Sequence, residues 1–113
     1  MSNDYSSFGL QDKIAIVTGP SQGIGRAIAI GLAQAGAHLV LAKHPEGRHE
    51  EVRQLESEIQ SMGRKAAIVV TVVSDVAQVR ALMDRAKETF GRIDILVNNA
   101  GWTGNSMALD VTE

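Results

Sequence analysis

The stretch that decides the fold is residues 14–25, which read IAIVTGPSQGIG. Four apolar residues come first, and a turn with three glycines leads from them into a predicted helix. Glycine gives such a turn its backbone freedom and lets an anion approach without a Cβ in the way. A helix that begins near Ile24 directs its unpaired N–H groups and the positive end of its dipole at that anion. The pattern predicts a binding turn for a dinucleotide pyrophosphate; a plain strand-to-helix turn with glycines for packing is the alternative.

Outside this stretch, apolar runs alternate with amphipathic segments. Continuous apolar runs are typical of strands buried on both faces, as in parallel sheets. The predicted strands are residues 14–17, 38–42, 67–73 and 93–97. The predicted helices between them are residues 24–35, 46–62 and 76–90. The crossovers are long enough for parallel pairing, so the sequence predicts an α/β domain over residues 10–113 after a flexible tail at residues 1–9.

Composition argues against several other classes of protein. Eleven basic and thirteen acidic residues give a net charge of −2, so no general attraction to nucleic acid or to an anionic membrane is expected. No apolar run approaches the length that spans a bilayer. The chain has no cysteine, which excludes disulfides and thiolate metal sites, and its three histidines lack metal-ligand spacing. We expect a cytoplasmic protein without a metal.

A second motif follows the fourth predicted strand. Residues 98–101 read NNAG and come directly after GRIDILV. Together with the TGxxxGIG pattern of the first turn, this motif resembles the short-chain dehydrogenase/reductase family. The resemblance covers residues 9–113, which correspond to the first half of a family member. It implies a Rossmann-type, doubly wound parallel sheet, truncated to about four strands in the order 3-2-1-4 with three to four helices. A flavodoxin-like or nucleotide-sugar fold is a weaker alternative, which the NNAG motif disfavours.

The same resemblance implies a set of residues around a nicotinamide dinucleotide. The glycine-rich turn would line the pyrophosphate and a ribose, and the second motif would lie near the ribose on the nicotinamide side. The residues so implied are Gly19, Ser21, Gln22, Gly23, Ile24, Gly25, Asn98, Ala100 and Gly101. For the two asparagines, a simple turn at the end of a strand is the alternative.

The end of the second predicted strand bears on which dinucleotide binds. Lys43 stands where NAD-preferring relatives carry an Asp, and with His44 or Arg48 it could pair with the 2′-phosphate of NADP. NADP is therefore the preferred cofactor and NAD the alternative; Lys43 could also be a solvated residue at a strand end. Gln22 weakens the case, because many NADP-using relatives have a basic residue there. Val72 falls at the family's adenine-binding Asp, which leaves the backbone of Val73 to contact the adenine.

No residue can be assigned a catalytic role. The family's Ser, Tyr and Lys would lie beyond Glu113, and Tyr5 has Gly9 rather than a lysine four residues on. The expected function is the dinucleotide-binding portion of an oxidoreductase that transfers hydride between NAD(P)H and a carbonyl or alcohol. A non-catalytic nucleotide-binding module or a truncated product is the alternative. The fourth strand would be an exposed edge, which predicts a homo-oligomer or self-association.

Overall fold

Strands and helices alternate along the chain, and the computed structural model describes residues 9–21 and 23–99. In chain order the elements are β1 (Ile14–Thr18), α1 (Gly23–Gln34), β2 (His38–Lys43), α2 (His49–Ser61), β3 (Ala66–Val70), α3 (Val76–Phe90) and β4 (Ile95–Asn98). The four strands pair in parallel and lie in the order β3-β2-β1-β4. This topology confirms the predicted Rossmann-type sheet and its strand order.

Each face of the sheet carries its own hydrophobic core, because alternate residues of a strand point to opposite faces. Helices α1 and α2 cover one face, and α3 packs on the other. In β1, Ala15 and Val17 belong to the first core, while Ile14 and Ile16 belong to the second. Burial on both faces explains why the strand reads as an unbroken apolar run.

Helix α2 begins at His49, three residues later than the sequence predicts. The cause is the backbone of Gly47 and Arg48, whose φ angles of 72° and 63° are left-handed. A right-handed helix cannot include such residues. Residues 44–48 therefore form a turn between β2 and α2, and this turn lines the cleft described below.

The predicted third strand is too long, since β3 ends at Val70 rather than at residue 73. The N–H of Thr71 still donates to the carbonyl of Lys43 at 2.9 Å. The chain then turns, and the N–H of Asp75 donates to the carbonyl of Val72 at 3.0 Å. The apolar side chains of Val72 and Val73 are half-buried in this connection, so their apolarity reflects burial rather than strand pairing.

Asp94 fixes the start of β4, which begins at Ile95 rather than at residue 93. Its N–H donates to the carbonyl of Ile14 and its carboxylate accepts the N–H of Ile14, each at 2.9 Å. The guanidinium of Arg92 donates to the same carboxylate. This hydrogen bond is the main reason why the pKa of Asp94 lies below its usual value; the bond from Ile14 adds to it, and desolvation opposes it. The two bonds between Asp94 and Ile14 join β1 and β4 at their amino ends.

Candidate functional site

The carboxyl ends of β1, β2 and β4 meet at one edge of the sheet. Thr18 at the end of β1 is in register with Ala42 of β2 and with Asn98 of β4. The next strand along the chain after β1 lies on one side of it, whereas β4 lies on the other, so the connections diverge at this point. In open α/β sheets, ligands bind in the crevice that this divergence creates. The glycine-rich turn leaves β1 there.

Hydrogen bonds join the two sequence motifs at this edge. The N–H of Asn99 donates to the hydroxyl of Thr18 at 2.8 Å, and that hydroxyl donates to the side-chain oxygen of Asn98 at 3.1 Å. The side-chain amide of Asn99 donates to the carbonyl of Gly19 at 3.1 Å. Neither Thr18 nor Asn99 is among the residues predicted from the sequence to contact the dinucleotide. Both belong to the site as positioning residues, since they hold the turn to the end of β4.

Gly25 is required here because its neighbours are close. It is buried, and a Cβ built on it would lie 2.0 Å from the carbonyl oxygen of Gly19 and 2.5 Å from the side-chain nitrogen of Asn99. Contacts this short cannot exist, so any side chain at this position would push α1 away from the turn. Gly25 therefore lets the first turn of the helix approach the Gly19–Asn99 hydrogen bond.

The start of α1 leaves space for a ligand. Gly23 has a φ of 58°, and a Cβ there would meet nothing within 4 Å. Ile24 is 71% exposed, although it is a large apolar residue. No acidic side chain occupies the first turn of α1, so no carboxylate of that turn offsets the positive end of the helix dipole. These features suit an anion with an adjoining apolar surface. Gln22 lies outside the described residues, as do Ala100 and Gly101 of the second motif.

A cleft of about 250 Å³, counted with its opening to solvent, separates the glycine-rich turn from the turn at residues 44–48. It is lined by Gly19, Pro20, Ser21, Lys43, His44, Glu46, Gly47 and Arg48. Lys43 is buried, with 4% of its surface exposed, so the alternative of a solvated strand-end lysine is wrong. Its ammonium group donates to the carbonyl of His44. The guanidinium of Arg48 is half exposed and lies 3.5 Å from Glu51.

Val73, predicted to contact an adenine, lies in the connection between β3 and α3 and is not among the residues that line the cleft. The N–H of the preceding Val72 donates to the side-chain oxygen of Gln78 at 2.8 Å. Asp75 accepts the N–H groups of Ala77 and Gln78 and so caps α3. These hydrogen bonds fix the connection to the first turn of α3.

Two further kinds of feature are missing from residues 9–21 and 23–99. No helix there has the length and apolarity that a membrane span needs. No three His, Asp or Glu side chains in these ranges are grouped so that they could hold a metal ion.

Comparison with known sequences identifies the family. A family model described as short chain dehydrogenase matches residues 13–113. The short-chain dehydrogenase/reductase FrzI of Cladobotryum sp. is 42% identical over 103 residues, which cover 91% of this chain and 39% of that protein. Oxidoreductase UcpA of Salmonella typhimurium is 44% identical over 104 residues, covering 92% of this chain and 38% of that protein. The chain thus spans about two fifths of the length of these relatives.

Solved structures agree with this result. A short chain dehydrogenase from Burkholderia cenocepacia in complex with NADP superposes with a TM-score of 0.77 and 42% identity, over 82% of this chain and 37% of that one. A short chain dehydrogenase/reductase from Burkholderia phymatum in complex with NAD gives a TM-score of 0.70 and 36% identity, over 77% and 30%. The resemblance drawn from the two motifs is confirmed: the chain belongs to the short-chain dehydrogenase family.

Proposed function

We propose that this chain is the dinucleotide-binding portion of an oxidoreductase that transfers hydride between a nicotinamide cofactor and a carbonyl or alcohol. The observation that carries the proposal is the hydrogen bond from Asn99 to Gly19, which joins the glycine-rich turn to the end of β4 at the switch point of the sheet. The reaction is proposed for the whole protein, because the chain spans only about two fifths of its curated relatives.

The described residues fit such a cofactor. The open space at Gly23 and the first turn of α1, which holds no acidic side chain, suit a pyrophosphate. Exposed Ile24 offers the rest of the dinucleotide an apolar surface beside them. When bound, the nicotinamide ring supplies the chemistry by accepting or releasing the hydride. The chain's own part is to bind the dinucleotide and fix its orientation. We assign these contacts to the residues implied by the family resemblance: Gly19, Ser21, Gln22, Gly23, Ile24, Gly25, Asn98, Ala100 and Gly101, with the backbone of Val73 near the adenine.

NADP is the proposed cofactor rather than NAD. Among the described residues that line the cleft, Lys43 and Arg48 are cationic and Glu46 is acidic. A phosphate in this cleft would face two cations, whereas the ribose hydroxyls of NAD, which need an acceptor such as a carboxylate, would find the single carboxylate of Glu46 there. The solved relatives contain NADP in one case and NAD in another, so the preference rests on the cleft itself.

Calorimetric titration of the chain with NADP⁺ and with NAD⁺ tests both the proposed binding of a dinucleotide and the proposed preference for NADP. A hydrogen bond to a charged group is worth roughly 1.5–3 kcal/mol, so NADP⁺ should bind about 10- to 100-fold more tightly than NAD⁺. Adenosine 2′,5′-bisphosphate should compete with NADP⁺, and 5′-AMP should compete far less. Equal affinities would overturn the preference for NADP, and no binding of either dinucleotide would overturn the proposed function.

We also propose that the chain self-associates through β4. This strand pairs with β1 on one side and is the outermost described strand on that side of the sheet. Its apolar residues Ile95, Leu96 and Val97 are only half-buried. A second copy that pairs along this edge would satisfy its backbone groups. Sedimentation velocity over a hundredfold range of concentration should show a dimer that grows with concentration, and a monomer throughout would contradict the proposal.

A further inference from the structure

His44 is held from two sides in the turn that borders the cleft. Its ring atom Nδ1 accepts the backbone N–H of Glu46 at 3.1 Å. Its carbonyl oxygen accepts a hydrogen bond from the ammonium group of buried Lys43. A side-chain acceptor that binds the N–H two residues later is the arrangement by which Asn and Asp form turns. Pro45 lies between the two bonded residues, and its fixed φ favours the same turn.

The shape of this turn decides where Arg48 stands. Gly47 and Arg48 are both left-handed, with φ angles of 72° and 63°. For arginine this conformation costs free energy, and it persists only where the surroundings impose it. The bond between His44 and Glu46 acts directly before these two residues. It therefore helps to set the path that brings Arg48 to the rim of the cleft.

We propose that His44 is a positioning residue for the 2′-phosphate of NADP, and that only its neutral ring holds the turn that presents Arg48. The inference rests on the proposed function, whose cleft it concerns. With Nδ1 as an acceptor, the neutral ring carries its proton on Nε2. A second proton would occupy Nδ1, so the N–H of Glu46 would lose its partner.

The charged groups around His44 allow two opposite expectations for how acid changes the affinity for NADP⁺. Lys43 approaches from β2, Glu46 and Arg48 belong to the turn, and Glu51 of α2 reaches Arg48. The described residues of the glycine-rich turn that face the cleft carry no charge. If the imidazolium paired directly with the phosphate, NADP⁺ would bind more tightly as the pH falls. If the neutral ring positions Arg48, binding weakens instead.

The test compares the full chain with His44→Asn and His44→Ala. Asparagine can accept the same N–H through its side-chain oxygen without titrating, whereas alanine cannot. At pH 8, His44→Ala should weaken NADP⁺ binding about 3- to 10-fold, the size of one hydrogen bond, and His44→Asn should stay within about twofold of wild type. Across a series of pH values, protonation of the ring should weaken binding by the wild type a further 3- to 10-fold or so relative to His44→Asn. The phosphate's own titration cancels in this ratio, because both proteins bind the same ligand.

A measurement without cofactor separates this inference from the proposed function. In the free chain at pH 8, nitrogen–proton correlation spectra of the His44 ring should show the tautomer with its proton on Nε2. The Glu46 amide should be protected from exchange in wild type and in His44→Asn, but not in His44→Ala. The opposite tautomer, or tighter NADP⁺ binding by wild type at low pH relative to His44→Asn, would overturn the inference. Absence of NADP⁺ binding with the expected tautomer and protection would instead overturn only the role toward phosphate.

Discussion

The side-chain amide of Asn99 donates to the carbonyl oxygen of Gly19 across 3.1 Å, although the two residues are 80 positions apart in the sequence. Through this bond the end of β4 supports the turn that follows β1. The bond is partly buried, and leaving a shielded carbonyl without its donor costs about 1–3 kcal/mol. The bond therefore contributes to the stability of the fold as well as to the shape of the binding turn.

Replacing Asn99 by aspartate should test this contribution. The carboxylate cannot donate to Gly19 and is repelled by its carbonyl, so we expect the free energy of unfolding to fall by about 1–3 kcal/mol, measured by urea denaturation. Gln54→Glu makes the same amide-to-acid change on the exposed face of α2 and should alter stability by less than about 0.5 kcal/mol. Similar losses in the two variants would show that charge, not the lost hydrogen bond, is responsible.

Two of the three glycines of α1, Gly25 and Gly31, should respond in opposite ways to alanine. At Gly25 a methyl group would lie 2.0 Å from the carbonyl oxygen of Gly19, so Gly25→Ala should destabilise the protein by at least about 1–3 kcal/mol and weaken dinucleotide binding. At Gly31 a Cβ meets nothing within 4 Å. Gly31→Ala should therefore stabilise the helix by up to about 1 kcal/mol. Thermal and urea unfolding of both variants measure the difference, and a tolerated Gly25→Ala would contradict the packing described here.

Arg48 should discriminate between the two dinucleotides. Arg48→Asn removes the guanidinium, and asparagine tolerates the left-handed conformation that this position requires. We expect NADP⁺ to bind about 10-fold or more weakly and NAD⁺ to change by less than about twofold, since only NADP⁺ has the 2′-phosphate. Arg48→Lys keeps the charge and serves as the control. A parallel loss for both dinucleotides would mean that the substitution disturbs the turn rather than a contact with phosphate.

Acid should weaken the link between β1 and β4. The hydrogen bond from Arg92 lowers the pKa of Asp94 in the folded state, so this carboxylate stabilises the fold at any pH above its unfolded pKa of about 3.9. That contribution is lost as the pH falls below this value and through the lower folded pKa. Urea unfolding from pH 7 to pH 2.5 should show wild type and Asp94→Asn converging in acid. Arg92→Gln should show the same convergence, and a difference that is constant with pH would argue against the assignment.

The sheet was predictable because its signal is local. Continuous apolarity in β1 and β2 follows from burial on both faces, and α3 has the bounds that its periodicity predicts. The start of α2 was not predictable, because no helix pattern shows that Arg48 adopts a left-handed conformation. The prediction that the third strand extends through residues 71–73 was wrong for a related reason. Apolar side chains indicate burial, and burial alone does not show that the backbone pairs with another strand.

The binding turn was recognisable from its glycines, but the residues that hold it were not. Thr18 and Asn99 act through hydrogen bonds that join the ends of the neighbouring strands β1 and β4 across about 80 residues of sequence, and periodicity along the chain does not mark such long-range pairs. The burial of Lys43 was missed likewise, because a lysine at the end of a strand is usually solvated. The one available signal was the position of TG at residues 18–19 and NN at residues 98–99, where two parallel strands end, since such strand ends converge at one edge of the sheet.

The position of β1 between β2 and β4 has a consequence for how such a site can change. The groups proposed to choose between the two dinucleotides come from the end of β2, whereas the support of the turn comes from the end of β4. Substitutions at residues 43–48 can therefore alter cofactor choice without touching the bonds of Asn99. Selection for a new redox partner, natural or in the laboratory, can proceed in one short loop while the rest of the cofactor site keeps its geometry.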